Sequence, residues 1–517
     1  MPSAVTIALY LTFAGTIGYL HCCKRWARSD PALGYPRIAL VLLWAAAFWV
    51  GPQVDGLEYE DAYIHKAAAI WRSFNWDSAR NGFYSTVCFA GSVADCLIDG
   101  SFGTQLIGFS ILIAMGRVLV GDSQIIANVL SAVASLLTIQ VVWSMLVRNV
   151  STAFGRLFGV ALIATSASFH LIASSGFAEP LFTLFLVVTF YCCQRIREDD
   201  APAPAFWLLL ATSGALMILA KKEGALLLII LVMLEVIGTF RAGRSNRSFG
   251  LIAILIGLLV GAVTVVGILE AADRHSADIG EAAFRLPNVT RLFPVLAEAA
   301  ANPKYFGLLG VAFAVVLPFA IYVRDPLSTR IACIVVAYVT IYSAHARHWH
   351  FVDGAAVYPS EFLRYLYVVT PLAAVLVAVT VNRLYIEVAR RSFFSHSAAL
   401  RLTGALVAFG LLGAGYSLHE QRSDMSRDET QNRTGILRNH PGGGTKAIFV
   451  SSYSTALVAL GGQDTTIVDS AMLEYQVVFE WLSTQASDGV SIVIDEALCG
   501  RPDLHQWTAN CGGQIVR

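Results

Sequence analysis

The sequence predicts an all-α polytopic membrane bundle of about 12 transmembrane helices, followed by a small C-terminal α/β extracytoplasmic domain. Of the 517 residues, 56% are hydrophobic and only 14% are charged, whereas soluble chains carry about 25% charged residues. Apolar runs of roughly 17–25 residues, long enough to cross a bilayer, recur along the chain. They lie at residues 4–22, 38–53, 123–147, 157–175, 179–196, 205–221, 224–240, 249–269, 304–323, 330–346, 363–381 and 400–417. The formal net charge of +0 indicates no nucleic-acid partner.

One further apolar stretch, residues 104–120, carries Arg117 and is predicted to be a re-entrant or interfacial helix rather than a span. Lys and Arg concentrate in short cytoplasmic loops. If this stretch does not cross, the basic loops all face the cytoplasm; they are residues 24–37, 241–247 and 382–401. The N-terminus, the loops 54–122, 270–303 and 347–362 and the tail 418–517 then lie outside. A crossing at 104–120 would invert the orientation of everything after it.

Composition divides the chain into two predicted domains. Residues 1–417 form the transmembrane domain, in which residues 54–122 are the first outer loop with juxtamembrane helices. Residues 418–517 begin as a polar stretch and then contain KAIFVSS and SIVIDEA, which predict buried strands, and AMLEYQVVFEWLSTQ, which predicts a helix. We therefore expect this tail to fold as a small extracytoplasmic α/β domain.

Four of the nine cysteines fall on the predicted outer side, the face on which disulfides form. The pairs Cys88–Cys96 and Cys499–Cys511 have spacings that a disulfide could close. The alternative is that all nine are free cysteines used for packing. Zinc-type cysteine spacings are absent from the sequence.

An acidic pair, Glu60 and Asp61, stands in the first outer loop within GLEYEDAYIHKAAAIW. Carboxylates beside a bilayer are costly and usually mark function. One carboxylate could accept a hydroxyl proton as a general base, and the second could orient an acceptor or hold a divalent cation such as Mg²⁺ or Mn²⁺. The alternative is a helix cap, because an acidic residue in a first turn complements the helix dipole.

Two lysines, Lys221 and Lys222, interrupt an apolar stretch in MILAKKEGALLLII, at a predicted tight outer turn between two spans. Lysines on the outer side run against the positive-inside trend. An anionic partner such as a lipid phosphate would explain them. The alternative is that they snorkel at a helix end, with Glu223 as a local ion-pair partner.

Three further charged residues stand near the predicted outer surface. Arg364 begins the span 363–381, either as a phosphate contact or as an ordinary interfacial arginine. Arg347 lies in HARHWHFVDG, whose histidines show no metal-ligand set and are predicted to line a wet interface. Glu179, followed by Pro180, has good capping chemistry, but it also faces the same predicted surface as Glu60 and could contact a substrate hydroxyl.

Four segments, in order along the chain, resemble motifs of the GT-C family of integral-membrane glycosyltransferases. EDAYIHKAAAIW at 60–71 resembles the acidic DDAYI-type motif of the first outer loop, and SGFAEPLFTLFL at 175–186 resembles a SGLETALFTLLL stretch. LAKKEGALLLI at 219–229 resembles LTRPEGALLLL, and YPSEFLRYLYVVTPLAAVL at 358–376 resembles a RYLLPLLPLL stretch. The tail segment TGILRNHPGGGTKAIFVSSYSTALVALGGQDTTIVD is similar to the outer C-terminal part of bacterial arabinofuranosyltransferase-like members.

This family includes aminoarabinose, arabinofuranosyl and protein mannosyl transferases that use polyprenyl-phosphate-linked sugars. The resemblance implies an inverting transfer to a cell-envelope glycan or glycolipid acceptor, at the outer face of a bacterial inner membrane. It implies Glu60 or Asp61 as the catalytic base. The implied donor-phosphate contacts are Lys221, Lys222 and Arg364. The implied substrate contacts are Tyr63, His65, Glu179, Glu223 and Arg347.

The chain departs from the family pattern at two motifs. The first acidic position, usually Asp, is Glu60, whose carboxylate reaches one methylene farther, so that the role of base could move to Asp61. The family's Arg-Pro-Glu-Gly is Lys221-Lys222-Glu223-Gly224, and a lysine offers a point charge where an arginine offers a bidentate fork. These departures affect the identity of the sugar more than the reaction type.

Two other classes of protein compete with this interpretation. A transporter or flippase of lipid-linked sugars would place charged groups at the membrane midplane in broken helices, whereas the span interiors here are nearly free of charge apart from Glu235. An O-antigen polymerase or ligase is expected to place its large catalytic loop late in the chain, whereas the long outer loop here comes early.

Overall fold

The described part of the protein covers most of the predicted membrane domain and five short pieces of the tail. The computed structural model describes residues 2–22, 108–120, 125–174, 176–199, 203–221, 223–242, 249–261, 298, 302–323, 325–344, 351–352, 355–356, 359–391, 405, 412–413, 415–416, 447–451, 466–469, 482–484, 486–488 and 491–494. The predicted span 38–53 and most of the predicted span 400–417 lie outside these residues.

Helices dominate the described part of residues 1–417. In chain order they are α1 (Pro2–Cys22), α2 (Gly108–Val120), α3 (Ile125–Asn149), α4 (Ala153–Ala164), α5 (Ala167–Ser174), α6 (Glu179–Glu198), α7 (Pro204–Ala220), α8 (Glu223–Ala242), α9 (Phe249–Gly261), α10 (Pro303–Phe306), α11 (Leu309–Val323), α12 (Pro326–Ala344) and α13 (Pro359–Arg391). Among the described helices, 4 are long and apolar enough to cross a membrane, or 5 if the bent pair α4–α5 is one span. The polytopic helical architecture agrees with the sequence, and the total of twelve spans stays a prediction.

The core of the bundle is built on α6 and α13. In each of these helices, 94% of the apolar window is buried inside the protein. A helix that is apolar on every side is buried on every side, and α6 packs against α3, α7 and α13. Aromatic rings from α1 close one flank, where Phe13 meets Phe185 edge-to-face with centroids 5.2 Å apart.

Ion pairs between helix ends show the relative directions of α3, α6 and α7. At the end of α6, Asp199 accepts a hydrogen bond from Arg148 at the end of α3, with 2.5 Å between Nη2 and Oδ1. At the start of α6, Glu179 pairs with Lys221, the residue that follows α7. Helices α3 and α6 therefore run in the same direction and α7 runs opposite to them. We call the two ends of the bundle the Glu179 end and the Asp199 end.

Arginines gather at the Asp199 end and are paired there. Arg195 donates to Asp199 at 2.6 Å, and Arg330 donates to the buried Glu235 at 2.6 Å. Burial raises the pKa of the Asp199 carboxyl, but hydrogen bonds from Arg195 and Arg148 outweigh it and leave that pKa below its ordinary value. These pairs tie α3, α6, α8 and α12 together at one end of the bundle.

The predicted continuous span 157–175 is broken. Helices α4 and α5 bend by 61° at their junction, and Thr165, the residue that follows α4, has non-helical backbone angles of φ −90 and ψ 0. The segment before α11 packs into this bend. Gly307 has a φ of 56°, and a Cβ on it would lie 2.8 Å from the carbonyl oxygen of Thr165. A continuous helix was expected from hydropathy, which does not detect such a break.

Helix α2 lies across the Glu179 end, in agreement with the predicted non-crossing helix at 104–120. A Cβ on Gly108, at its start, would lie 2.5 Å from the carbonyl oxygen of Leu219 at the end of α7. A Cβ on Gly116, near its end, would lie 2.5 Å from Cγ2 of Ile126 at the start of α3. Both neighbours belong to the Glu179 end, so α2 begins and ends on the same side. Arg117 is buried on its inward face.

We expect Gly108→Ala to destabilise the protein by about 1–3 kcal/mol, the usual cost of overpacking. The added methyl group would meet the backbone of Leu219 and Ala220, which cannot move aside as a flexible side chain can. The midpoint of thermal unfolding in detergent measures this effect. The matched control is Gly15→Ala in α1, where the structure describes no atom within 4 Å of the added Cβ. Equal midpoints for the two variants would contradict the close contact between α2 and α7.

Strands appear in two places. A hairpin of β1 (Phe351–Val352) and β2 (Ala355–Ala356) precedes α13. In the tail, β3 (Ala447–Ser451), β4 (Thr466–Asp469) and β5 (Ser491–Ile494) form a parallel sheet in the order β4-β3-β5. Strands β3 and β5 coincide with the predicted strands KAIFVSS and SIVIDEA, and β4 was not predicted. That residues 418–517 form a domain of their own stays a prediction.

Candidate functional site

A tight turn joins α7 to α8 at the Glu179 end. Lys221 leaves the helix with an extended backbone, at φ −150 and ψ 141, while its N–H still donates to the carbonyl of Met217. Its own carbonyl accepts from the N–H of Gly224 at 2.9 Å. A Cβ on Gly224 would lie 2.7 Å from the oxygen of Met217, so glycine allows the turn to close. This agrees with the tight turn predicted between these spans.

The start of α6 is held by its neighbour α3. Ser131 of α3 donates a hydrogen bond to the carbonyl of Phe177 at 2.7 Å. Gly176 has a φ of 73°, a left-handed conformation that glycine adopts without strain. Glu179 then begins the helix with Pro180 next to it and no side-chain cap from Ala178. The acidic residue in the first turn fits the predicted capping role, because it complements the helix dipole.

Glu179 and Lys221 form a buried ion pair across these two elements. The Lys221 Nζ lies 2.5 Å from Oε1 of Glu179, and the two side chains are 11% and 0% exposed. Removing two charges from water is expensive, and a buried pair is tolerated only when the partners compensate each other closely. The pair fixes the α7–α8 turn to the start of α6.

Tyrosines from α12 and α13 surround this pair. The Lys221 Nζ lies 5.9 Å from the ring centroid of Tyr365, within the range of a cation–π contact. Tyr338 of α12 is buried and lies near the charges of Glu223, Lys221 and Glu179. The environment of the lysine is therefore aromatic as well as anionic.

A second tyrosine of α13 connects the site to α3 and α5. The hydroxyls of Tyr367 and Ser135 are 2.6 Å apart, and the ring of Tyr367 stacks on Phe169 with centroids 4.7 Å apart. This buried contact fixes the first part of α13 against α3. It also fixes the backbone of α13 two residues beyond Tyr365 and three beyond Arg364.

The structure brings together some of the predicted site residues. Lys221 and Glu179 are in contact, and Glu223 begins α8 one residue after the turn. Arg364 lies in the first turns of α13, immediately before Tyr365, although its side chain lies outside the described residues. The remaining predicted residues, Glu60, Asp61, Tyr63, His65, Lys222 and Arg347, also lie outside them, so their roles stay predictions.

Sequence reasoning did not find the ion pair or the tyrosines. It considered Glu223 as a partner of the lysines, and it did not predict that Glu179, 42 residues away, pairs with Lys221 as the structure shows. Tyr365 and Tyr338 stand in apolar runs where tyrosines look like ordinary core residues. The available signal was the position of Tyr365, directly after Arg364 and near the predicted outer end of the span 363–381.

Metal and disulfide predictions fall mostly on other parts of the chain. In the ranges described above, no group of three or more His, Cys, Asp or Glu side chains could hold a metal ion. The acidic pair that could bind a divalent cation is not among these residues. The predicted pairs Cys88–Cys96 and Cys499–Cys511 are not among them either. The four described cysteines, Cys22, Cys192, Cys193 and Cys333, are free.

Comparison with solved structures identifies the fold. ArnT from Cupriavidus metallidurans in the apo state superposes with a TM-score of 0.62 at 14% identity, over 93% of this chain and 95% of that one. The same protein bound to undecaprenyl phosphate gives 0.58 at 13% identity, over 90% of both chains. The archaeal oligosaccharyltransferase AglB from Archaeoglobus fulgidus, in complex with an inhibitory peptide and a dolichol-phosphate, gives 0.55 at 12% identity, over 94% of this chain and 72% of that one.

Sequence comparisons add nothing to this likeness. No protein-family model matches the chain, and a search of the curated proteins gives no match. At such low identity the structural likeness shows the fold alone. It confirms, at the level of the fold, the resemblance to GT-C membrane proteins that the four sequence motifs indicated.

Proposed function

We propose that this chain, which has the GT-C fold, is an inverting membrane glycosyltransferase. It moves a sugar from a polyprenyl-phosphate donor to a cell-envelope glycan or lipid acceptor at the outer face of a bacterial inner membrane. The observation that carries the proposal is the likeness, over 90% of both chains, to a protein whose structure holds undecaprenyl phosphate. A second neighbour of the same fold holds a dolichol-phosphate. Two lipid phosphates on one scaffold support a lipid-phosphate site here.

The distribution of charge supports an outer location for the site. Arg148, Arg195, Arg197, Arg330 and Arg383 all lie at the Asp199 end. Basic residues favour the cytoplasmic side, so we assign the Asp199 end to the cytoplasm. The Glu179 end, with the lysine turn, then faces outward.

In the proposed reaction, an acceptor hydroxyl attacks the anomeric carbon of the donor sugar from the face opposite the phosphate. The bond between this carbon and the phosphate oxygen breaks, and polyprenyl phosphate leaves with both bonding electrons. Glu60 or Asp61 takes the hydroxyl proton. Positive charge offsets the charge that develops on the leaving phosphate, and we assign this role to Lys222 and Arg364, with Lys221 beside them. Substrate contacts are assigned to Tyr63, His65, Glu223 and Arg347.

One observation favours a transporter of lipid-linked sugars as a second candidate function. The bent pair α4–α5 is a broken helix of the kind that transporters use at binding sites. However, polar groups at this break form hydrogen bonds with one another. His170 Nε2 lies 2.6 Å from the carbonyl of Ala164, and the N–H of Ser166 donates to Ile163. We therefore assign the break a structural role rather than a role in substrate binding.

We expect the purified protein, in lipid nanodiscs supplied with cell-envelope glycan and lipid fractions as acceptors, to transfer one sugar from a panel of polyprenyl-phosphate-linked pentoses, aminopentoses and hexoses. The measurement is the appearance of free polyprenyl phosphate together with the sugar-bearing product. Release from one donor would identify the donor and the reaction class together. If no donor is consumed by protein with a normal unfolding midpoint, the glycosyltransferase assignment fails. Movement of intact donor across proteoliposomes would then support the transporter.

A further inference from the structure

We propose that Glu179 is a positioning residue that holds the Lys221–Lys222 turn in place for the donor phosphate. The inference rests on the proposed function and changes the assignment of two residues. Glu179 was predicted to contact substrate and Lys221 to contact phosphate. We assign Glu179 to anchor Lys221, and through it to orient Lys222.

The Glu179–Lys221 pair is buried, and this burial limits what the carboxylate can contact. Glu179 is 0% exposed and Lys221 is 11% exposed, so the carboxylate cannot reach a sugar hydroxyl without leaving its place. Burying a cation against apolar groups is costly unless an opposite charge compensates it. Glu179 supplies that charge at 2.5 Å, and the ring of Tyr365 supplies a weaker electrostatic contact on the α13 side.

The backbone conformation of the turn connects the ion pair to Lys222. Lys221 is the residue at which the chain changes from helical to extended geometry, and Lys222 follows directly. A side chain anchored at this point limits how far the turn can move. Gly224 restricts the far side of the same turn, because it packs against the carbonyl of Met217. The backbone of the turn is therefore restricted at Lys221 and at Gly224.

The anchor itself is rigid. Glu179 begins a helix whose preceding carbonyl, at Phe177, is fixed by Ser131, and Gly176 packs closely on Ala127 of α3. Tyr365, on the other side of Lys221, precedes Tyr367, which is bonded to Ser135 of the same α3. Arg364 lies next to Tyr365 in the chain. One helix thus supports both the lysine turn and the start of α13, and so keeps the two assigned phosphate-binding segments at a constant spacing.

The first test is Glu179→Gln, assayed as the donor and acceptor KM of the full-length enzyme and as direct binding of polyprenyl phosphate by native mass spectrometry. We expect the donor KM and the Kd for polyprenyl phosphate to rise roughly tenfold or more, the size of one lost charge-assisted contact. The acceptor KM should change little. The matched control is Glu198→Gln at the Asp199 end, which should leave all three values unchanged.

A charge-swapped variant, Glu179→Lys with Lys221→Glu, separates anchoring from direct phosphate contact. If the pair acts as an anchor, the swap should restore the donor KM to within about threefold of the wild type. If Lys221 itself binds phosphate, a carboxylate at position 221 should weaken the donor at least as much as Lys221→Met does, and that result would overturn the inference. Should Glu179→Gln not fold, Glu179→Gln with Lys221→Met leaves no lone buried charge and is measured instead, with the same expected rise in donor KM.

The possible results of these experiments distinguish a failure of the positioning role from a failure of the proposed function. A folded Glu179 variant, single or double, whose donor KM and polyprenyl-phosphate binding equal those of the wild type would overturn the positioning role and leave the glycosyltransferase intact. A wild-type protein that neither binds polyprenyl phosphate nor transfers sugar would overturn the proposed function, and the positioning role with it.

Discussion

Glu60→Gln combined with Asp61→Asn is expected to abolish sugar transfer while the protein stays folded. A positioned general base contributes about 10²–10⁴-fold to a rate, and the amides keep the size of the side chains but cannot accept the proton. We expect kcat to fall by that factor, with the donor KM nearly unchanged because we assign the phosphate contacts to other residues. The assay is transfer from the donor identified in the panel.

The single variants assign the roles. Adjacent residues on a helix point about 100° apart, so Glu60 and Asp61 are not expected to act as equal substitutes for each other. The single variant with the larger loss of kcat identifies the base. Glu198→Gln, which removes one carboxylate at the Asp199 end of the bundle, is the matched control. Transfer by the double variant at a third or more of the wild-type rate would exclude the acidic pair as the base.

Glu235→Gln is expected to have the largest effect on stability. Glu235 is 5% exposed and accepts from Arg330 at 2.6 Å and from Arg197 at 3.4 Å. Removing one member of a buried ion pair leaves an uncompensated charge and costs about 3–5 kcal/mol. We therefore expect a large drop in the midpoint of thermal unfolding in detergent. The Arg330 side chain is 11% exposed, so its guanidinium has little access to water once Glu235 is neutral.

Two further variants make this expectation specific. Glu198→Gln removes a carboxylate that is 34% exposed and pairs with Arg148 and Arg197, so it should cost only about 0–1 kcal/mol. Glu235→Gln with Arg330→Met removes both charges of the short pair and should recover much of the lost midpoint. Similar midpoints for Glu235→Gln and Glu198→Gln would show that the Glu235 contacts contribute no more than surface pairs.

The Glu235–Arg330 ion pair also helps to distinguish a glycosyltransferase from a transporter. Glu235 was the one charged residue that interrupted an otherwise apolar span, and in a transporter such a residue marks a binding site. The structure places it beside two arginines near the Asp199 end of α8. The two contacts give the residue a structural role, and the charge inside the span no longer counts in favour of transport.

Hydropathy predicted the helices well because the cost of exposing backbone and charge to lipid is local in sequence. The predicted spans 179–196 and 205–221 correspond to Glu179–Glu198 and Pro204–Ala220. It predicted too short a helix at 363–381, since Pro359–Arg391 continues past the apolar run. There Asn382 meets Thr152 and Arg383 meets Asp325. These are tertiary contacts to polar residues, and hydropathy does not detect them.

The sequence by itself determined the helical membrane architecture, the resemblance to the GT-C fold and the tight turn at Lys221. Each of these follows from residue types within one window of the chain. Only the tertiary structure decided that Glu179 pairs with Lys221, that Tyr365 lies beside the lysine and that α4 and α5 are bent apart. Which charge compensates a buried lysine depends on how helices distant in sequence pack together, because electrostatic and hydrogen-bond contacts act over a few ångströms of space rather than over a number of residues.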